Sequence, residues 1–133
     1  MQITAINNYI NNQSAFMDLA RIDFQQLRVK HIFFKSKVRA ILFGSSYDAD
    51  FFGDSNPVNN WFDTVGKASY GQQPEMTALI SFHQDFKRLA LQLISHYESG
   101  RIDQAQAGMA TINELSENFL SKLAQLEKRI TST

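Results

Sequence analysis

A three-four spacing of apolar residues runs through most of the chain and limits what it can fold into. Steps of three and four residues place side chains on one face of an α-helix, whereas a strand requires alternation. Gly44 follows the last apolar turn of the first stretch, so the spacing predicts a helix over residues 17–43. Its stripe contains Met17, Ala20, Phe24, Leu27, His31, Phe34, Val38 and Ile41.

Two later stretches repeat this spacing and predict helices over residues 76–98 and 102–130. Pro74 suits the first turn of the earlier one, and Gly100 follows its end. Its inner stripe contains Met76, Leu79, His83, Phe86, Ala90, Leu93 and Tyr97. The stripe of the last helix contains Ile102, Ala105, Met109, Ile112, Ser116, Phe119, Leu123, Leu126 and Ile130.

The segment 44–73 breaks the pattern and predicts a connector with one short helix, over residues 58–65. Glycine recurs there, and Pro57 suits the first turn of the short helix. A connection this long inside a compact domain is unusual and often functional. Residues 1–13 continue the first stripe, but their asparagines lower helix propensity, so we treat them as an N-terminal extension with helical potential. We expect one domain over residues 1–133, an all-α, antiparallel four-helix-type bundle formed by residues 14–131.

Composition and missing motifs exclude several classes of protein. The 13 basic and 13 acidic residues form no basic run, which argues against nucleic-acid binding. The chain has no cysteine, no long apolar stretch and no secretory signal pattern, so we expect a cytoplasmic protein without membrane contact. A P-loop, a dinucleotide fingerprint, a Gly-x-Ser-x-Gly elbow and Glu-x-x-His pairs are absent, so we expect no enzyme, no catalytic residue and no cofactor.

His31 and His83 occupy central positions of two inner stripes. Singly, each is typical of a buried neutral histidine with one hydrogen bond. As a pair on two helices they favour a shared site, since antiparallel packing of those helices can bring them level. His96 follows His83 by 13 residues, about 220° around a helix, and is predicted at the surface.

Four segments in order resemble the chemoreceptor zinc-binding (CZB) domain: KHIFFKSKVRAILFG, NPVNNWF, YGQQPEM and SFHQDF. The resemblance covers residues 22–127. It implies a small helical bundle that serves bacterial signal transduction or chemotaxis, commonly dimerises and has no catalytic activity. It also implies zinc held by a histidine on the first long helix, a cysteine in a Cys-x-x-Gly-x-Trp motif, and two histidines spaced His-x-x-x-His.

Two of the four implied zinc ligands are missing from this chain. The first and third ligand positions correspond to His31 and His83. Alignment on Trp61, which we interpret as a packing anchor, places Asn56 at the cysteine position, and Lys87 falls at the last histidine position. An amide oxygen is a poor substitute for a thiolate, and a protonated lysine has no lone pair for a metal. The resemblance therefore implies a degenerate metal centre in a homodimeric signalling or interaction module.

The lysine at the fourth position leads to further expectations and to two alternatives. Its ammonium would replace part of the charge of zinc, lower the histidine pKa values, and pair with His31, His83, Asn56 or Asp54. One alternative is a weak zinc sensor in which Asp54, Asp50 or Asp85 supplies substitute oxygens. The other is a purely structural dimerisation bundle that binds no small ligand.

Overall fold

The computed structural model describes residues 2–54 and 56–132, so Met1, Ser55 and Thr133 lie outside it. Within these ranges the chain is helical, without strands, which confirms the prediction of an all-α bundle. The elements are α1 (Gln2–Leu42), α2 (Pro57–Trp61), a π-helical turn (Phe62–Gly66), α3 (Lys67–Tyr70), α4 (Pro74–Glu98), α5 (Ile102–Ala107) and α6 (Met109–Thr131).

Helix α1 is one uninterrupted helix of 41 residues, so the predicted N-terminal extension and the predicted first helix form a single element. At 1.5 Å per residue it is about 60 Å long, whereas the 25-residue α4 is about 37 Å long. The additional length lies at the N-terminal end, where residues 3–16 are exposed on all sides. At the other end, Gly44 adopts a φ of +117°, which favours glycine after a helix terminus.

The helices α1 and α4 run in the same direction, and α6 runs antiparallel to both. His31 of α1 lies beside His83 of α4. Towards the C-terminal ends of both helices, Tyr97 Oη of α4 lies near Gly44, which follows α1, at 3.8 Å from the position that a Cβ of this glycine would occupy. At the opposite end, Arg129 of α6 binds Glu75 in the first turn of α4. The expectation that the two histidine-bearing helices pack antiparallel was therefore wrong. Because the connector returns alongside α1 before α4 begins, the two helices are parallel.

Two aromatic residues of the connector fix its return to α1. The indole Nε1–H of Trp61 donates to the backbone oxygen of Asp23 at 3.1 Å, and Tyr70 Oη donates to Asp23 Oδ2 at 2.6 Å. Trp61 is buried, which confirms its predicted role as a packing anchor. The helical part of the connector is longer than predicted, because the π turn and α3 extend it to Tyr70. At Gly66 in the π turn a Cβ would lie 2.9 Å from the Trp61 ring.

The predicted helix over residues 102–130 is broken at Gly108, between α5 and α6. A Cβ on Gly108 would overlap Cδ2 of Leu93, so glycine permits the close approach of this corner to α4. Ile102, expected on the inner stripe, is 43 % exposed. That prediction was wrong because Ile102 is the first residue of α5 and lies in the exposed corner formed by residues 100–104.

We expect Gly108→Ala to destabilise the protein by about 1–3 kcal/mol, the typical effect of overpacking a close contact. The added methyl group would overlap the side chain of Leu93, which is buried in the core. Chemical denaturation at neutral pH measures this change. Gly53→Ala is the control, because a Cβ there would lie 3.4 Å from its nearest neighbour, the backbone oxygen of Asp50. A Gly108→Ala protein as stable as the control would contradict the explanation.

Candidate functional site

His31 is completely buried where α1 faces α4 and α6. Its ring stacks on Phe119 at a centroid distance of 4.3 Å and meets the edge of Phe86 at 5.2 Å. One ring nitrogen, Nε2, lies 2.8 Å from Oγ of Ser116. The other, Nδ1, has no hydrogen-bond partner in the part of the chain that the structure describes. The imidazole is thus fixed by aromatic packing and one hydroxyl group.

His83 is 1 % exposed and lies on the face of α4 that meets the connector. Its ring packs against the rings of Phe34 and Phe62, at centroid distances of 5.4 Å and 6.0 Å. Neither of its ring nitrogens has a hydrogen-bond partner among residues 2–54 and 56–132. A buried polar group without a partner typically costs about 1–3 kcal/mol. The position of His83 is therefore unfavourable for stability on its own.

The structure brings His31 and His83 into one aromatic cluster. The ring of Phe34, which packs on His83, has its centroid 5.7 Å from that of Phe86. Phe86 in turn contacts the ring of His31. The two imidazoles are close enough that a charge on His83 lowers the pKa of His31. Three of the four ring nitrogens in the pair thus lack a partner among the described residues, inside an otherwise apolar environment.

Burial keeps both histidines neutral at physiological pH. It lowers the pKa of His31 to about 3, with smaller contributions from His83 and Lys35. It lowers the pKa of His83 to about 4, and the nearby Lys87 ammonium contributes to the same shift. The expected effect of Lys87 is present at His83, but removal of the ring from water is the larger cause.

Asn56 is buried, but its side chain has a structural task within the connector. Its Oδ1 accepts a hydrogen bond from the Asn59 backbone N–H at 2.9 Å, which caps the N-terminus of α2. Its Nδ2 donates to the backbone oxygen of Gly53 at 3.0 Å. In the described part of the chain no hydrogen bond joins Asn56 to either histidine.

Lys87 lies one turn after His83, and both line an open cleft of about 460 Å³ between α4 and the connector. Of the partners expected for its ammonium, the structure shows Asp54, whose Oδ1 lies 3.8 Å away. The Lys87 side chain is 20 % exposed, whereas that of Asp54 is fully exposed. His83 receives no hydrogen bond from the lysine. The cleft thus has a largely buried cation and an unsatisfied imidazole side by side.

The side chains at this site do not fit a tetrahedral zinc centre. Two imidazoles are present, one of them already bonded to a serine, and zinc normally requires further nitrogen, sulfur or oxygen donors. Across residues 2–54 and 56–132 there is no group of three or more His, Cys, Asp or Glu side chains able to hold a metal ion. Among the expected substitute oxygens, Asp54 pairs with Lys87 and Asp85 pairs with Arg88, while Asp50 is exposed in the connector. Weak zinc binding through these oxygens stays a prediction.

Ser116 is the member of the site that sequence reasoning missed. It stands in the apolar stripe of α6 and is 1 % exposed, so a polar residue at an inner position was the available signal. Its contact with His31 is not an activated nucleophile, because both residues are buried and no acid among the described residues orients the other ring nitrogen. His96 is half-buried, away from the pair, and its Nδ1 accepts a hydrogen bond from Arg101 Nε at 3.0 Å.

Comparison of the chain with known proteins gives no match to a family model, to a curated protein or to a solved structure. None of the helices in the described part of the chain combines the length and apolar character that a membrane crossing requires.

We expect the free energy of unfolding to fall as the pH drops from 6.5 to about 3 because of these two histidines. The unfolded chain binds protons below pH 6.5 while the folded rings stay neutral, so each histidine contributes a loss of up to about 1.4 kcal/mol per pH unit. The loss from His83 ends as the pH falls through its folded pKa of about 4, and that from His31 ends near 3.

Denaturant unfolding of His83→Leu across this pH range tests the prediction. Leucine removes both unsatisfied nitrogens, so the variant should be at least as stable as the parent at pH 7 and lose less stability on acidification. His96→Gln is the control, because it removes a histidine that lies outside the pair. Identical pH profiles for the parent and His83→Leu would contradict neutral burial of His83.

Proposed function

We propose that this protein is a non-enzymatic sensory or interaction module of bacterial signalling, similar to CZB domains, whose zinc centre has degenerated. One observation carries the proposal: His31 and His83, from two different helices, meet in one buried cluster with three unsatisfied ring nitrogens. The motif resemblance independently implies that these two residues stand at ligand positions. The same resemblance implies that Lys87 and Asn56 stand at the two remaining ligand positions.

The energetics support a functional origin of the histidine pair. A leucine or phenylalanine would satisfy the packing at these positions without leaving buried polar atoms unpaired. A purely structural dimerisation bundle has no use for such a pair, so the pair favours a sensory module over that alternative. Cytoplasmic location and the absence of catalysis belong to the same proposal.

The resemblance suggests a test in which the two missing ligands are restored. We expect Asn56→Cys combined with Lys87→His to bind zinc tightly at one ion per chain, where the parent binds little. The matched control is Asn56→Ser with Lys87→His, because serine can still cap α2 but supplies no thiolate. Calorimetric titration and metal analysis of untagged protein measure the difference. If the folded Asn56→Cys, Lys87→His protein takes up no more zinc than the control, the four positions are misaligned.

The proposed module is a homodimer, and the support is an uncovered apolar stripe on α1. On the face of α1 opposite the core stripe, exposed apolar residues recur at a spacing close to that found where two helices pack along each other. They are Leu19, Ile22, Val29, Phe33 and Phe43. The projecting N-terminal part of α1 adds exposed Ile3, Ile6, Ile10 and Phe16. A second copy would cover the stripe from Leu19 to Phe43, whereas the N-terminal residues continue the phase of the core stripe and would need a separate contact. A signalling partner would dock on the assembled dimer.

We expect Ile22→Glu combined with Val29→Glu to convert the dimer into a monomer, because two carboxylates would be buried at the seam. Sedimentation equilibrium at tens of micromolar protein measures the mass. The control is Ala124→Glu combined with Gln125→Glu, which adds the same charge at exposed positions of α6. A monomeric parent, or dissociation of the control as well, would count against this interface.

A further inference from the structure

The cleft beside His83 has the features of a small-molecule site. Its volume of about 460 Å³ lies within the range of roughly 300–1,000 Å³ that is usual for ligand pockets. Phe62 and Ile80 give it an apolar wall, while the amides of Asn59 and Gln84 line it with polar groups. His83, which is 1 % exposed, also lines the cleft, and both of its ring nitrogens are buried and lack a partner in the described part of the chain.

The charges around the cleft favour an anion. Lys67 at the rim is paired with Asp63 at 3.0 Å, and both side chains are exposed, so this pair is close to neutral. Lys87 lies deeper, and its pairing with the fully exposed Asp54 at 3.8 Å is the kind of surface contact that stabilises little. The positive charge of Lys87 is therefore weakly compensated on the side of the cleft where His83 lies.

We propose that this cleft binds a small organic acid, with its carboxylate at Lys87 and His83 and its apolar part against Phe62 and Ile80. This inference rests on the proposed function. It gives a small-molecule ligand to a module in which Lys87 stands at the position of a lost zinc-binding residue. The ammonium donates to the carboxylate, and the imidazole contributes an N–H. The ligand thereby replaces Asp54 as the counterion of Lys87.

A cationic ligand does not fit the same arrangement. The carboxylates that line the cleft, Asp54 and Asp63, are exposed and already face lysines. A cation would have to separate these pairs while lying close to the Lys87 ammonium. The positive sign of the partly buried Lys87 charge thus selects the class of ligand.

Titration of the full chain with benzoate, followed by NMR of the His83 ring and the Lys87 side chain, tests the proposal. Benzylamine and benzyl alcohol keep the apolar ring and replace the carboxylate by a cation and by a neutral group. We expect saturable shifts of both residues with benzoate at millimolar concentration and none with the other two compounds. Equal binding of benzylamine, or no saturation with benzoate, would overturn the proposal. Inorganic phosphate binding as tightly as benzoate would overturn the assignment of an organic acid.

Two variants locate the binding site. Lys87→Met keeps most of the length of the side chain without its charge, and His83→Leu removes the N–H donor. We expect each to weaken benzoate binding at least about tenfold. Lys128→Met removes a lysine on an exposed part of α6 and should bind like the parent. Unchanged affinity in a folded Lys87→Met protein would place the anion elsewhere and refute the site.

The zinc experiment separates failure of this inference from failure of the proposed function. If benzoate does not bind the parent but Asn56→Cys with Lys87→His gains zinc, only the organic-acid site is refuted. If neither occurs, the resemblance on which both proposals depend is refuted as well.

Discussion

The attachment of the connector to Asp23 is the interaction on which the rest of the arrangement depends. Trp61 and Tyr70 both donate hydrogen bonds to this residue, one to its backbone and one to its carboxylate. These bonds return the chain to the level of Asp23, and α4 starts shortly after Tyr70 and runs parallel to α1. The parallel course places His83 level with His31 and leaves the cleft between α4 and the connector.

The second property of the molecule is a polar pair kept inside an aromatic core. Phe34, Phe86 and Phe119 surround the imidazoles and remove them from water, which is why both stay neutral. Neutral imidazoles in this position contribute little to stability. They are nevertheless suited to receive a ligand, since their unpaired nitrogens gain a partner when one arrives.

Helix α1 connects this interior to an uncovered surface. Its inner face carries His31 and Phe34, while Ile22 and Val29 are exposed on the opposite face of the same helix. The proposed signalling or interaction module would use this outer face of α1 as its contact surface.

Periodicity in the sequence determined the helices and the inner positions of His31 and His83, because spacing along a helix is a local property. The Asn-Pro pair at 56–57 is also a local signal, typical of a helix start, and it explains why the structure uses Asn56 as a cap. Only the tertiary structure decided that α1 and α4 are parallel, that Gly108 breaks the last helix against Leu93, and that Ser116 meets His31. These features depend on contacts between residues far apart in the chain, which a one-dimensional pattern of apolar spacing does not contain.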